Sequence, residues 1–208
     1  MPHGTLGGQL RVIAGQYRSR RLQTLRGTAL RPSSDRLRET LFNILGTVVE
    51  GAVFVDLFAG SGAVGIEALS RGARGAIFVE NHAAGAALIA RNLASLGIPT
   101  AAQVASGKTF VGSAEILRMD AMDALERLDK GSAHIDFVYL DPPYADTRAY
   151  QEILEFLGES ELLARGGSVI AEHRRKTDLP AIAGHLERAR VVEQGDTALS
   201  FYRPVFAA

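Results

Sequence analysis

The 208-residue chain contains no cysteine. That absence removes disulfides and thiolate metal sites, and with them any cysteine nucleophile able to add to a pyrimidine carbon. No apolar run approaches the roughly 18 residues that a membrane span needs, and Met1–Leu10 lacks the charged-then-apolar pattern of a secretory leader. A cytoplasmic monomer without membrane or metal partners is expected. Net charge is absent too, with 23 Lys and Arg against 23 Asp and Glu. Taken alone, neutrality argues against a polyanionic partner, but the charge is segregated. Residues 1–40 hold eight arginines (Arg11, Arg18, Arg20, Arg21, Arg26, Arg31, Arg36, Arg38) and no lysine against Asp35 and Glu39, a surplus of six. The other residues therefore carry a deficit of six. A basic end on an acidic body suggests nucleic acid, and arginine is the better fork for phosphate and base edges.

What is present is ample apolar material, 47% of the chain, enough for one globular domain with an appendage. The expected division is a basic extension over residues 1–48 and a main domain over 49–208. In the extension, Gln9–Ile13 and Tyr17–Leu22 read as a short hairpin around Ala14-Gly15-Gln16. A helix follows, with Leu37, Leu41, Ile44 and Leu45 on one face and Ser33 or Ser34 as N-cap. In the main domain, candidate strands Val53–Leu57, Ala76–Val79, Ala114–Arg118, Ile135–Leu140 and Ser168–Glu172 alternate with helices through Ser70, Ala83–Leu96, Ala121–Leu128 and Ala149–Leu157. That alternation predicts a mostly parallel α/β sheet with ligands at the carboxyl ends of its strands, where Asp56, Glu80, Asp120 and Asp141 fall. Arg190–Glu193 and Thr197–Val205, flanking Gly195-Asp196, read as an antiparallel hairpin closing the sheet. Gly97–Ser113 is long for a connection and reads as a mobile loop or a small extra hairpin.

Gly60-x-Gly62-x-x-Gly65 follows the first strand, and Glu80 ends the second, which satisfies the dinucleotide fingerprint. A nicotinamide oxidoreductase is therefore one reading. Asp56 argues against it, because a carboxylate beside that helix N-terminus repels a pyrophosphate. S-adenosyl-L-methionine, with an ammonium and a sulfonium, welcomes a carboxylate there. Glu80 can then accept both ribose hydroxyls, and Asp120 or the adjoining backbone can read the adenine amine.

The segment Ile135–Leu140 is a buried apolar strand stopped by Asp141-Pro142-Pro143-Tyr144, a stiff turn whose prolines neither donate to a ladder nor enter a helix interior. An amine conjugated with a heteroaromatic ring is a poor nucleophile, since its lone pair is delocalised. Asp141 and the Pro142 carbonyl can accept its two N–H bonds and localise that pair, while Tyr144 stacks on the ring. The motif resembles that of the amino-methyltransferases, and the missing cysteine agrees with a nitrogen target.

Further segments make the resemblance specific. Arg11-Val12-Ile13-Ala14-Gly15 with Arg18, Arg20 and Arg21, then Leu30-Arg31-Pro32-Ser33-Ser34-Asp35-Arg36-Leu37-Arg38-Glu39-Thr40-Leu41-Phe42-Asn43, then Asp56-Leu57-Phe58-Ala59-Gly60-Ser61-Gly62 and Asp141-Pro142-Pro143-Tyr144 resemble the RsmD family over about Leu10 to Tyr202. Members methylate the guanine N2 amine of small-subunit (16S) ribosomal RNA. The resemblance implies a Rossmann-like class I S-adenosylmethionine-dependent methyltransferase fold. It implies that Asp56, Phe58, Gly60, Ser61, Gly62, Glu80, Asn81, Asp120, Ala121 and Asp141 surround the cofactor, and that Asp141, Pro142, Pro143 and Tyr144 hold the guanine. Arg18, Arg20, Arg21, Arg31, Arg36 and Arg38 are expected to contact phosphates of the RNA, free or within a 30S subunit or assembly intermediate. Departures from the family are Ser19, where glycine is usual, and the long Gly97–Ser113 stretch. Other readings are an adenine-N6 methyltransferase on DNA or RNA, and a nucleic-acid-binding protein with a vestigial fold.

Overall fold

Short strands rich in β-branched and aromatic side chains, alternating with alanine- and leucine-rich helices, form a sheet covered on both faces in the computed structural model. It describes residues 10–24, 32–100, 112–131, 133–143 and 147–205, with only the backbone of Pro32, Ser33 and Ser34. The elements are α1 (Pro32–Leu45), a 3-10 turn (Gly46–Val49), β1 (Val53–Asp56), α2 (Ala63–Ser70), β2 (Gly75–Val79), α3 (Ala83–Leu96), β3 (Ser113–Leu117), α4 (Ala121–Lys130), β4 (Ile135–Leu140), α5 (Thr147–Glu159), β5 (Leu163–Arg174), β6 (Ile182–Ala183), β7 (Leu186–Gln194) and β8 (Thr197–Pro204). Arg31, Tyr144 and residues 101–111 of the long connection lie outside the described residues, as do the side chains of both candidate N-cap serines.

The eight strands run in the order β3-β2-β1-β4-β5-β8-β7-β6. From β3 to β5 they are parallel, and β5, β8, β7 and β6 pair antiparallel. This is the Rossmann-like class I methyltransferase architecture with its C-terminal hairpin, as expected. The order reverses between β1 and β4, and in open α/β sheets such a switch point opens a crevice at the strands' carboxyl ends.

Strand alternation divides the core. Phe54, Phe78, Phe137, Tyr139, Ile170 and Phe201 face α1, α2 and α3, while Val55, Leu57, Val138, Leu140, Val169 and Tyr202 face α4 and α5. β5 extends beyond the expected Ser168–Glu172, because Gly166 and Gly167 interrupt the apolar signal without interrupting the strand. β7 likewise exceeds Arg190–Glu193, since its mostly exposed side chains hide a strand that pairing with β8 fixes. β6, two residues long, is too short for any periodicity to reveal.

The basic stretch at 10–24 and α1 pack into the same core as β1 and β2, through Leu10, Val12, Leu22, Leu37, Leu41 and Phe42. The expected hairpin is looser than two strands. Arg11 and Arg21 form an isolated antiparallel bridge, supported by Val12 N to Arg20 O and Leu22 N to Leu10 O, both 2.9 Å. Ser19 sits at φ 66°, the only non-glycine with positive φ among the described residues. Its departure from glycine therefore falls where glycine costs least.

A buried carboxylate holds this arm down. Glu67 on α2 accepts from the backbone N–H of Ile13 (2.7 Å) and of Ala14 (2.9 Å), and from Arg71 Nε at 2.8 Å. Gly15 follows, and a Cβ there would lie 1.8 Å from the Ser70 carbonyl oxygen, so nothing larger fits. Arg38 approaches the same carboxylate, with Nε 3.9 Å from Glu67. Its Nη2 donates to the Arg11 carbonyl (2.6 Å) and to Asp35 (3.2 Å). With only 5% of its surface exposed, Arg38 locks α1 to the arm, and its expected role as a phosphate contact is corrected. Arg18, Arg20, Arg21 and Arg36 are exposed.

Candidate active site

The crevice is built by four successive strand ends. After β1, Gly60 and Gly62 adopt φ of 51° and 78°, conformations that suit glycine and turn the chain into α2. Asp56 ends β1 wholly buried, and its carboxylate accepts from Gly65 N at 3.2 Å inside the first turn of α2. Glu80, after β2, reaches back to the turn: Oε2 accepts from Gly60 N at 2.9 Å and Oε1 from His82 N at 2.8 Å. Each oxygen keeps a second lone pair for a ligand hydroxyl. Asp120, after β3, caps α4 by accepting from Met122 N at 3.1 Å. Asp56, Glu80 and the Gly60–Gly62 turn are thus brought together by direct contacts. Asn81 and Asp120 stand exposed on neighbouring loops, Phe58, Gly60 and Ser61 are half-buried, and Ala121 is buried at the start of α4.

Asn92 on α3 fixes the turn from behind. Its Nδ2 donates to the Ser61 carbonyl at 2.9 Å and to the Gln23 carbonyl at 3.1 Å, while its Oδ1 accepts from Gln23 N at 2.8 Å. The glycine turn and the basic arm therefore share one buried amide.

Asp141 follows β4 next to β1, with Pro142 buried and Pro143 exposed. Two residues absent from the expected set join it. In the parallel register Asp56 pairs with Tyr139, Tyr139 with Ile170 and Leu140 with Ala171, so Glu172, within β5, lies beside Asp141. The Tyr139 hydroxyl donates to Glu172 Oε2. The Tyr150 hydroxyl on α5 donates to the Glu172 carbonyl at 2.6 Å. A signal for Glu172 was present in the sequence: like Asp56, Glu80 and Asp141, it is an acid directly after an apolar run, here Val169-Ile170-Ala171. Nothing in the sequence marked Tyr139, because only sheet register places it there.

Burial governs the electrostatics. It raises Asp56 to about 7, against the opposing Gly65 and Phe58 amides and with help from Glu80 and Glu172. Asp141 is raised well above the usual carboxylate range by burial, then by Glu172 and Asp56. Burial also raises Glu172, and the Tyr139 hydroxyl offsets part of that. Tyr139 is pushed up in turn, by burial first and then by Glu172 and Asp141. Several carboxylates gathered at buried strand ends favour a cationic ligand over a pyrophosphate, since a nearby positive charge lowers the cost of ionising each. This donor set fits S-adenosyl-L-methionine, whose sulfonium and ammonium suit the buried carboxylates and whose ribose hydroxyls suit the free lone pairs of Glu80. Among the described residues no group of His, Asp and Glu is arranged to hold a metal ion, and no helix is long and apolar enough to cross a membrane.

Comparison with known proteins agrees with this geometry. The ribosomal RNA small subunit methyltransferase D of Escherichia coli (strain K12) is 34% identical over 202 residues, covering 97% of this chain and 93% of that protein. The protein of the same name from Haemophilus influenzae is 33% identical over 196 residues, covering 94% and 93%. The solved structure of yhhF from Escherichia coli superposes with a TM-score of 0.76 at 33% identity, covering 95% of this chain and 98% of that one. The family model described as conserved hypothetical protein 95 matches residues 10–203. With almost the whole chain matched, the protein belongs to that family, the RsmD family, and carries its S-adenosylmethionine-dependent methyltransferase fold.

Proposed function

We propose that this protein transfers a methyl group from S-adenosyl-L-methionine to the exocyclic N2 amine of a guanine in small-subunit ribosomal RNA. The observation that carries the reading is the place of Asp141-Pro142-Pro143: it leaves β4 beside Asp56, at the switch point of a sheet whose relatives are named as methyltransferases of that RNA. Asp141 and the Pro142 carbonyl accept the two N–H bonds of the amine and turn its lone pair out of the ring. Tyr144, next in the chain, stacks on the extruded base. Asp56, Glu80 and the Gly60–Gly62 turn hold the cofactor, which when bound supplies an electrophilic methyl group on sulfur. Exposed Arg18, Arg20, Arg21 and Arg36 contact phosphates and set the orientation of the RNA.

The test is to incubate the protein and labelled cofactor with ribosomal RNA from a strain lacking the gene, then digest and identify the methylated nucleoside. N2-methylguanosine at one position of the small-subunit RNA is the expected product. N6-methyladenosine, or label confined to large-subunit RNA, overturns the reading.

A further inference from the structure

We propose that Glu172, held by the Tyr139 hydroxyl, is a positioning residue that acts through Asp141 and makes Asp141 the acceptor of the proton leaving the target amine. The inference rests on the reading that Asp141 receives an exocyclic amine. Its geometric basis is independent of that reading. Leu140 and Ala171 are register partners on parallel strands, so Asp141, the first residue past β4, lies beside Glu172, which is still within β5. Glu172 is fixed at both ends, its carbonyl by the Tyr150 hydroxyl from α5 and its carboxylate by the Tyr139 hydroxyl from β4. A carboxylate with no task beyond solubility has no need of a buried phenol donor on its side chain and a second phenol fixing its main chain.

The chemistry balances without a further reactant. As the amine nitrogen takes the methyl group, its lone pair forms the N–C bond, and the electron pair of the broken S–CH3 bond returns to sulfur. The nitrogen is then left with one proton in excess, which passes to an Asp141 oxygen and afterwards to water. A base that binds this proton more tightly draws on the N–H harder while the new bond forms. The charged groups acting on Asp141 are Glu172 from β5 and Asp56 from β1, and both act with burial to strengthen its hold on a proton. Glu80 bears on Asp56 from the β2 side. Tyr139, by donating to Glu172, favours its charged form and so sustains the effect.

The test uses E172Q and Y139F with two readouts. Carboxyl 13C NMR of the ligand-free protein follows Asp141, assigned with D141N, and single-turnover methylation is measured across pH. In E172Q, Asp141 should titrate about one pH unit lower. The acidic limb of the rate profile should move the same way, with the plateau falling about tenfold and cofactor affinity by calorimetry staying within about threefold. Y139F keeps the ring and removes only the donor, so it should move both readouts in the same direction by less. It carries the test should E172Q fail to fold. An unmoved Asp141 titration, a rate loss with no movement of the limb, or a parallel loss of cofactor affinity overturns the proposal. An active D141A enzyme would instead end the parent reading. Inactive D141A with an unmoved titration in E172Q ends this inference alone.

Discussion

Asn92 and Ser61, 31 residues apart, are joined by a hydrogen bond from the Asn92 amide to the Ser61 carbonyl at 2.9 Å. The same side chain makes two bonds to Gln23 in the basic arm. The glycine turn after β1 and the basic arm are therefore held by one side chain on α3.

Replacing it tests whether that link matters for ligand binding. Asn92→Ala leaves buried partners at Gln23 and Ser61 unpaired and should cost about 2–3 kcal/mol, or about 5–10 °C in Tm for a chain of this size. Calorimetry should also register a several-fold loss of S-adenosylmethionine affinity, because Ser61 is freed. Lowered Tm with unchanged affinity would mean that the amide supports only the fold.

Glu67 is the larger anchor. Glu67→Ala strands Arg38 and Arg71 and two backbone donors in the core, a change expected to cost about 3–5 kcal/mol as for other broken buried pairs. Hydrogen exchange should speed most at Ile13 and Ala14, whose amides lose their acceptor. Uniform acceleration across the sheet would instead point to global loosening.

At Ser19 the expectation has the opposite sign. A left-handed φ of 66° strains a residue with a Cβ, so Ser19→Gly should stabilise by about 0.5–1 kcal/mol, after allowing for the extra freedom of glycine in the unfolded chain. Chemical denaturation with an unchanged m-value is the measurement. A loss of stability would show that the serine side chain contributes more than its backbone costs.

Asp56 makes a prediction about pH. Its folded-state value, about 7, lies above the ordinary 3.8, so the folded protein holds that proton more tightly than the unfolded chain does. The resulting stabilisation is complete below about pH 4, declines as pH rises and is lost above about pH 7. Asp56→Asn, which cannot ionise, should lose less stability over that window, and its melting temperature should gain on the wild type from pH 4 to pH 8. Parallel melting curves for the two ligand-free proteins would contradict the assignment. Binding a cation beside Asp56 at neutral pH should also release a proton, detectable by calorimetry in buffers of different ionisation heat.

The arginines of the arm and of α1 divide into two classes. Arg18, Arg20, Arg21 and Arg36 are exposed, and replacing each by alanine should reduce the slope of log K against log salt by about one per lost phosphate contact while leaving Tm nearly unchanged. Arg38→Ala should do the reverse, lowering Tm through Glu67 and Arg11, with RNA affinity falling only as far as the arm detaches. A salt slope altered most by Arg38 would reverse this division.

The sequence by itself determined the parallel sheet, the strand ends at Asp56, Glu80 and Asp141, and the glycine turn, because each depends on local signals: short continuous apolar runs, chain-reversing glycines, and prolines that stop a strand. It also carried the segregation of positive charge into the first 40 residues. Tertiary structure alone decided which arginines are available. Arg38 reads like its exposed neighbours until the fold places Glu67 beneath it, and Ile13, Gln23, Glu67 and Asn92 meet across separations of 54 and 69 residues. The pairing of Tyr139 with Glu172, 33 residues apart, is likewise a matter of register. Sliding β5 by one residue along β4 would turn Glu172 to the opposite face of the sheet, and no local feature of the sequence specifies that alignment, which is set by packing of the whole core.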